Sequence, residues 1–338
     1  MTNLPRIQIA QLPTPIQYLP NLSSKLGDLK VFIKRDDQTG LAFGGNKTRK
    51  LEFLIGDAKA MNAQTLITTG AVQSNHCRQT AAAAARFGLK CILVLTGSET
   101  DTALIKSGKY TGNLLIDKLV GAKFVYSQLD DRDRVVNETY REELEKGSQP
   151  YIIPYGGSNK IGAYAYTLAV NEMMEQTCNS PGENSTPEWI IFPTSSGGTQ
   201  AGMIVGARKY GFYGRMLGIS VDKQSEPLKK RIVELANQIT KLSGISYKFI
   251  QSEILVNDDY LGGGYGVAGD AEKNAIELFA RSEGILLDPV YTGRAAAGFL
   301  DLHQSGFFKK ENGEPTKILF WHTGGTPALF SEKYIEIW

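Results

Sequence analysis

Gly-Gly-Asn-Lys-Thr-Arg-Lys-Leu, residues 44–51, is the most informative segment of this chain. The two glycines predict a tight turn, and the residues after them predict a helix that begins near Lys47. Lys50 follows one helical turn later, so the two amines share a helix face and repel each other. Two solvated lysines would be the ordinary interpretation. A bound anion would relieve the repulsion, which makes one lysine a candidate phosphate ligand and the other a candidate nucleophile for a carbonyl group.

The bulk composition predicts an ordinary globular protein. The chain has 338 residues, 42% hydrophobic and 21% charged, which suffices for two domains or one large α/β unit. Its 37 basic and 35 acidic residues leave a net charge of +2, so no nucleic-acid or membrane partner is expected. No run reaches the roughly 18 apolar residues of a membrane span, and the N-terminus lacks the apolar core of a signal peptide. We therefore expect a cytoplasmic protein.

The cysteines and histidines predict neither a disulfide framework nor a metal site. The three cysteines form no Cys-x-x-Cys pair and their number is odd, and the three histidines are too dispersed for a metal motif. These residues are Cys77, Cys91, Cys178, His76, His303 and His322.

Strand-like and helix-like stretches alternate along the chain, which predicts an α/β fold with parallel sheets and helices on both faces. The predicted strands are 31–34, 65–69, 91–95, 122–126, 151–153, 189–192, 217–221 and 318–321. The predicted helices are 48–61, 75–87, 114–119, 135–146, 162–176, 200–209, 227–242, 270–283 and 293–303. The polar segment 178–187 is the clearest break in composition and is predicted to be a linker.

Ligand sites in parallel sheets lie at the carboxyl ends of the strands, and a glycine-rich loop occupies such a position here. Residues 194–199, Thr-Ser-Ser-Gly-Gly-Thr, connect a predicted strand to a predicted helix. Such a loop is either a tight turn with a serine cap or a nest of backbone N–H groups that binds an anion at a helix N-terminus. It lacks both the P-loop pattern and the dinucleotide fingerprint, which disfavours a nicotinamide-dependent dehydrogenase.

Three further segments place polar side chains at strand ends. Residues 73–76, Gln-Ser-Asn-His, start a predicted helix and suit a substrate carboxylate, although a single serine or asparagine there is ordinarily a cap. Residues 287–293 predict a rigid turn that presents Tyr291, with Asp288 as a turn residue. Residues 321–325 end a predicted strand with polar residues and two glycines.

Together these segments resemble the fold-type II family of pyridoxal-phosphate enzymes. The branch that they resemble contains D-cysteine desulfhydrase and 1-aminocyclopropane-1-carboxylate deaminase. The matching segments are Lys-Arg-Asp-Asp at 34–37, residues 44–53, Gln-Ser-Asn-His at 73–76, Gly-Gly-Ser-Asn at 156–159, Gly-Thr-Gln-Ala-Gly at 198–202, residues 284–293, and His-Thr-Gly-Gly at 322–325. They occur in order over roughly residues 10 to 330.

The resemblance implies a fold like that of the tryptophan synthase β subunit, with two three-layer αβα domains and mostly parallel, twisted sheets. Residues 1–50 with 160–338 would form the larger, cofactor-binding domain, and residues 51–159 the smaller one. A homodimer is also implied.

The resemblance also implies roles for individual residues. Lys47 would form the Schiff base with pyridoxal phosphate, while Lys50 and the segment Ser196, Gly197, Gly198 and Thr199 would hold its phosphate. Asn75 would bond the ring hydroxyl, Thr292 and Thr323 would lie near the ring nitrogen, and Ser74, Asn75 and His76 would receive the substrate carboxylate. Tyr291 and Tyr265 would face the substrate, and they are predicted to assist catalysis together with Ser74.

Two threonines bear on the substrate. The deaminase branch has Glu at the position of Thr292, where it keeps the pyridine nitrogen protonated, and Leu at the position of Thr323; it also has Gln at the position of His76. A neutral hydroxyl gives a weaker electron sink, which suffices for expelling a thiolate but not for opening a cyclopropane. We therefore predict α,β-elimination of D-cysteine to pyruvate, hydrogen sulfide and ammonia. The deaminase, an L-cysteate sulfo-lyase and a non-catalytic phosphate-ligand binding protein are the alternatives.

Overall fold

The computed structural model describes residues 4–97, 107–178 and 186–338. The strands are β1 (Ile16–Tyr18), β2 (Leu29–Arg35), β3 (Thr65–Ala71), β4 (Lys90–Thr96), β5 (Lys123–Ser127), β6 (Pro150–Ile152), β7 (Trp189–Thr194), β8 (Arg215–Ser220), β9 (Leu255–Asn257) and β10 (Thr316–His322). The helices are α1 (Pro20–Leu26), α2 (Asn46–Ala60), α3 (Asn75–Arg86), α4 (Gly112–Leu119), α5 (Arg132–Glu145), α6 (Lys160–Cys178), α7 (Gly198–Tyr210), α8 (Ser225–Ser243), α9 (Asp270–Glu283), α10 (Thr292–Gln304) and α11 (Glu332–Ile335).

These strands form two sheets, in the orders β1-β2-β10-β7-β8-β9 and β5-β4-β3-β6. Every strand pair is parallel except β1 with β2. The predicted α/β class with mostly parallel sheets is confirmed. The larger sheet takes its strands from residues 16–35 and 189–322, and the smaller from residues 65–152. The division at residues 50 and 159 stays a prediction.

Each sheet is the middle layer of three because its strands bury both faces. Along β10, Ile318 and Phe320 pack into the core under α9 and α10, whereas Leu319 and Trp321 pack into the core under α6 and α7. This alternation is the two-residue period of a strand. In the smaller sheet, Leu66 faces α2 and α3 while its neighbour Ile67 faces α5.

The predicted elements are all present, with ends that differ by a few residues. The sequence reasoning missed the short elements β1, β9, α1 and α11. The predicted linker 178–187 is corrected at its first residue, since Cys178 is the last residue of α6. Residues 179–185 of that linker lie outside the described residues. No helix in the described parts of the chain is both long and apolar enough to cross a membrane.

A buried ion network fixes α2, the helix that carries both lysines. Arg49 donates through Nε and Nη2 to the two carboxylate oxygens of Asp36, at 3.0 and 2.9 Å, and through Nη1 to Glu172 at 2.9 Å. Tyr166 and Trp321 donate to the same Asp36 oxygen at 2.5 and 2.9 Å. Burial alone would raise the pKa of Asp36, but the charges of Arg49 and Lys34 and the hydrogen bonds from Arg49 and Tyr166 together outweigh it and hold the pKa below its ordinary value. The start of α2 is therefore tied to the end of β2 and to β10.

Candidate active site

The carboxyl ends of strands from both sheets meet at one cleft, where a parallel sheet is expected to bind its ligand. The cleft is lined by Asn46, Lys47, Ser74, Asn75, His76, Tyr155, Gly156, Pro193, Thr194, Ser195, Ser196, Gly197, Thr199, Tyr291, Thr323 and Gly324. Nine predicted site residues are among them: Lys47, Ser74, Asn75, His76, Ser196, Gly197, Thr199, Tyr291 and Thr323. The other four, Lys50, Gly198, Tyr265 and Thr292, are not among the lining residues.

Lys47 is the amine of the cleft. It is the second residue of α2, whose first N–H, at Asn46, donates to the carbonyl of Thr323 at 2.9 Å and so ties the helix to the end of β10. Loss of solvent around the amine lowers the pKa of Lys47 to about 8. A useful fraction of the side chain is therefore unprotonated near neutral pH, as a nucleophilic lysine requires.

Lys50 lies directly behind the cleft. Its side chain is fully buried and donates to the carbonyl of Gly156 at 3.1 Å and to the hydroxyl of Ser158 at 3.2 Å. The Ser158 hydroxyl in turn lies 2.7 Å from that of Ser196. Burial, and secondarily the charge of Lys47, hold the pKa of Lys50 well below its ordinary value. Lys50 is therefore connected to Ser196 by a chain of hydrogen bonds through Ser158.

Residues 196–199 form a nest of backbone donors at the N-terminus of α7. Gly197 has a left-handed backbone, φ 79°, and the backbone N–H groups of these four residues find no acceptor within the described residues. Asn46 Nδ2 donates to Thr199 Oγ1 at 3.1 Å, which fixes one side of the nest. A Cβ on Gly198 would lie 2.4 Å from Ser158 Oγ, so the loop admits no side chain there. Free N–H donors and the positive end of the helix dipole make this arrangement suitable for a phosphate.

The N-terminus of α3 offers a second set of donors. Ser74 is the cap, its Oγ accepting from the N–H of Cys77 at 3.2 Å. The backbone N–H groups of Asn75 and His76 find no acceptor in the described parts of the chain. Free N–H groups at a helix N-terminus suit a carboxylate.

Hydrogen bonds fix the tautomer of His76. Thr68 must donate its single hydroxyl proton to the carbonyl of Ile153, 2.8 Å away, because a carbonyl only accepts. The Thr68 oxygen therefore accepts from His76 Nε2, also at 2.8 Å, and Nε2 carries the ring proton. Burial and the nearby Lys47 charge hold the pKa of His76 well below its ordinary value. A neutral ring without a proton on Nδ1 has no donor to offer on that side, whereas the backbone N–H of His76 is free. The carboxylate-binding role of His76 stays a prediction, with this N–H as the available donor.

Tyr291 and Tyr265 form a pair, with their hydroxyl oxygens 2.7 Å apart. Tyr291 lines the cleft, whereas Tyr265 is not among its lining residues and contacts it through Tyr291. Burial holds the pKa of both phenols well above the ordinary value, so both hydroxyls are protonated at neutral pH.

The two threonines expected beside the ring nitrogen differ in placement. Thr292 is fully buried, donates its hydroxyl proton to Asp288 Oδ1 at 2.7 Å, and accepts from the Asp288 N–H at 2.8 Å. Thr323 lines the cleft, and its hydroxyl makes no hydrogen bond to any described residue. Asp288 also accepts from the N–H groups of Val290 and Tyr291, which makes it the predicted turn residue. The hydroxyl available to a ligand is that of Thr323.

Sequence reasoning missed several residues of the cleft. Asn46 and Gly156, which line the cleft, and Ser158, which links Lys50 to Ser196 behind it, lie inside quoted motifs and could have been found there. Tyr155, whose pKa burial raises to about 12, precedes one of these motifs and has no signal of its own.

These residues fit pyridoxal phosphate. The nest at 196–199 with Lys50 behind it matches the phosphate, Lys47 matches the carbonyl carbon, and the unpaired amide nitrogen of Asn75 matches the ring hydroxyl. No acidic side chain is among the described residues that line the cleft.

Comparison with known proteins agrees with this fit. Residues 7–324 match the model of a family described as pyridoxal-phosphate dependent enzyme. A solved structure titled as that of an ACC deaminase homologue is 37% identical, with a TM-score of 0.85 over 99% of this chain and 97% of that one. An L-serine ammonia-lyase from the fungus Rhizomucor miehei, 16% identical, shares the fold, with a TM-score of 0.65 over 98% of both chains. The chain therefore belongs to the fold-type II family of pyridoxal-phosphate dependent enzymes, in the branch of D-cysteine desulfhydrase and 1-aminocyclopropane-1-carboxylate deaminase.

Proposed function

We propose that this pyridoxal-phosphate dependent lyase eliminates hydrogen sulfide from D-cysteine, and that the aminoacrylate released takes up water to give pyruvate and ammonia. The observation that carries the proposal is that the described residues lining the cleft include no carboxylate, while Thr323 offers a hydroxyl there. Without a carboxylate to keep the pyridine nitrogen protonated, the cofactor is a moderate electron sink. Elimination of a thiolate needs no more than that.

Substrate binding follows from the two helix N-termini. The free N–H groups of Asn75 and His76 would bind the substrate carboxylate, with Ser74 beside them. The nest at 196–199 would hold the cofactor phosphate, and Lys50 would add charge through Ser158. When bound, pyridoxal phosphate joins the substrate amino group and withdraws electrons from its Cα.

The proton steps follow from the pKa directions. Lys47, with its pKa near 8, would take the Cα proton on Nζ and so act as the base. The hydroxyl of Tyr291, which lines the cleft and stays protonated because burial raises its pKa, would donate a hydrogen bond toward the departing sulfur. Tyr265 would hold that hydroxyl in place through their 2.7 Å contact. Lys47 is thus the proposed base and Tyr291 the proposed donor.

The alternatives differ in leaving group and in class. A 1-aminocyclopropane-1-carboxylate deaminase or an L-cysteate sulfo-lyase would use the same nest and the same lysine. A non-catalytic phosphate-ligand binding protein would have no use for Lys47. Borohydride reduction separates that class, because only a Schiff base is trapped covalently on Lys47.

The test of the substrate is an assay of pyruvate release across D-cysteine, L-cysteine, L-cysteate and 1-aminocyclopropane-1-carboxylate. Turnover of D-cysteine is the expected result. The homodimer and the cytoplasmic location remain predictions from the resemblance and from composition.

A further inference from the structure

We propose that Asn113, at the start of α4, is a positioning residue that sets which end of the Asn75 amide faces the cofactor. The inference rests on the proposed role of Asn75 as partner of the ring hydroxyl. Asn113 is fully buried and is not among the lining residues of the cleft, so it acts through Asn75.

The orientation of the Asn113 amide follows from a backbone carbonyl. Asn113 Nδ2 lies 2.9 Å from the carbonyl oxygen of Gln73, which only accepts hydrogen bonds. The nitrogen of Asn113 must therefore face Gln73, and its Oδ1 has no partner in the described residues that would favour the reverse orientation. The side chain of Gln73 adds to this hold, because its Oε1 accepts from the Asn113 N–H at 2.8 Å.

The same nitrogen then fixes Asn75. Asn113 Nδ2 also lies 3.0 Å from Asn75 Oδ1 and donates to it. An asparagine whose oxygen is held in this way keeps its NH₂ group on the other side. The Asn75 Nδ2 makes no hydrogen bond to a described residue, and Asn75 lines the cleft, so the group left for a ligand is a donor.

The orientation of the Asn75 amide affects the charge on the ring oxygen of the cofactor. A donor beside the ring oxygen of pyridoxal phosphate stabilises that oxygen as an anion, whereas the amide oxygen of Asn75 would repel it. The hydrogen bonds from Asn113 to the Gln73 carbonyl and to Asn75 thus hold the Asn75 amide in the favourable orientation before the cofactor binds. Binding then needs no reorientation of that amide.

The test uses the whole protein without any amino-acid substrate, so its outcome does not depend on which substrate the enzyme takes. Two quantities are measured: the dissociation constant of pyridoxal phosphate from titration of the apo protein, and the pH midpoint of the visible absorbance of the holoenzyme. Four proteins are compared, namely wild type, Asn113→Leu, Asn75→Ala and the double variant, with folding checked by circular dichroism.

Asn113→Leu is expected to raise the dissociation constant about fivefold, the effect of one ordinary hydrogen bond, and to shift the pH midpoint in the same direction as Asn75→Ala. In the Asn75→Ala background it is expected to change neither quantity. Gln73→Leu is the matched control, since it removes side-chain bonds to Thr111 and Asn113 but leaves the bond from Asn113 to Asn75. It should lower stability without moving the pH midpoint.

A folded Asn113→Leu protein with wild-type values of both quantities would overturn the inference, as would equal effects of Asn113→Leu with and without Asn75. If Asn75→Ala alone changes nothing, the role of Asn75 is wrong and the inference fails with it. If Asn113→Leu does not fold, Asn113→Ala carries the same test, because it removes the donor to Asn75 Oδ1 without adding a larger or charged group.

Discussion

The hydroxyl of Thr292 donates to Asp288 Oδ1 over 2.7 Å and accepts from the Asp288 N–H over 2.8 Å. Both its donor and one acceptor position are therefore used inside the turn that begins α10. Thr292 thus differs from Thr323, which lines the cleft with its hydroxyl unbonded to the described residues. The two threonines that separate this chain from the deaminase pattern have different tasks.

This difference predicts that replacing threonine by valine lowers stability at position 292 and changes the absorbance of the bound cofactor at position 323. Thr292→Val is expected to lower the free energy of unfolding of the apo protein by about 2 kcal/mol, because it removes two buried hydrogen bonds and leaves the Asp288 N–H without a partner. Thr323→Val is expected to cost less than about 0.5 kcal/mol and to change the visible absorbance of the bound cofactor instead. Urea denaturation and absorbance spectra measure the two effects. Equal stability losses in the two variants would contradict this division.

Lys47 predicts a pH-dependent stability of the apo protein. Because its pKa falls from 10.5 to about 8 on folding, the unfolded chain binds more protons between these two values, and stability rises with pH across that window. Lys47→Met is expected to stabilise the apo protein by about 1 to 2 kcal/mol at pH 7, with partial solvent access of the amine allowed for. The gain should shrink as the pH rises from 8 toward 10.5. Denaturant midpoints at several pH values test this, and a gain that does not depend on pH would count against it.

Arg49 predicts that the Lys-Arg-Asp-Asp motif at 34–37 is mainly structural. Arg49→Met removes the guanidinium that the fully buried Asp36 shares with the partly buried Glu172, and the loss of the Asp36 partner is expected to cost about 3 to 5 kcal/mol. The pKa values of both carboxyls are held below the ordinary 3.8 and 4.5, so the stabilisation is present above these values and is lost as the pH falls below them.

Denaturation of the Arg49→Met variant at neutral pH and below pH 4 measures this cost, and the gap to wild type should narrow in acid. Arg134→Met is the matched control, because Arg134 pairs with Asp131 and Glu138 on the exposed face of α5. It should leave stability unchanged within error. A similar loss in both variants would show that the buried network has no special role.

The nest predicts a steric test. Gly198→Ala puts a Cβ 2.4 Å from Ser158 Oγ and 3.0 Å from its Cα, so the loops must separate. We expect roughly tenfold weaker binding of pyridoxal phosphate and a loss of about 1 to 3 kcal/mol in stability. Gly269→Ala is the control, since its Cβ would meet nothing closer than 3.6 Å. Cofactor titration of both variants decides the matter, and wild-type affinity in Gly198→Ala would refute the assignment of the nest.

Much of the fold was predictable because its signals are local. The helices that flank the sheets have long apolar faces, and β4, β7 and β10 contain nearly continuous apolar runs, as buried parallel strands do. The two strands that the sequence reasoning missed, β1 and β9, have three residues each and lie at the edges of the larger sheet. Runs of that length have no period to detect, and their neighbours in the sheet decide them.

The site residues that belong to a sequence motif could be predicted. The features of the site that depend on a single hydrogen bond could not. Lys47 and residues 196–199 stand in glycine turns that the sequence displays. The commitment of Thr292 to Asp288, the tautomer of His76 and the support of Asn75 by Asn113 each depend on one contact. Residue type alone does not say which of two acceptors a hydroxyl or amide will meet.

The most direct test of the proposed reaction is pyruvate release by the purified holoenzyme from D-cysteine, L-cysteine, L-cysteate and 1-aminocyclopropane-1-carboxylate, with sulfide measured in parallel. We predict pyruvate and sulfide in equal amounts from D-cysteine, loss of both in Lys47→Ala, and little product from the other three compounds. Turnover of the cyclopropane substrate alone would contradict the argument that a cleft without a carboxylate limits this enzyme to elimination of a stable leaving group.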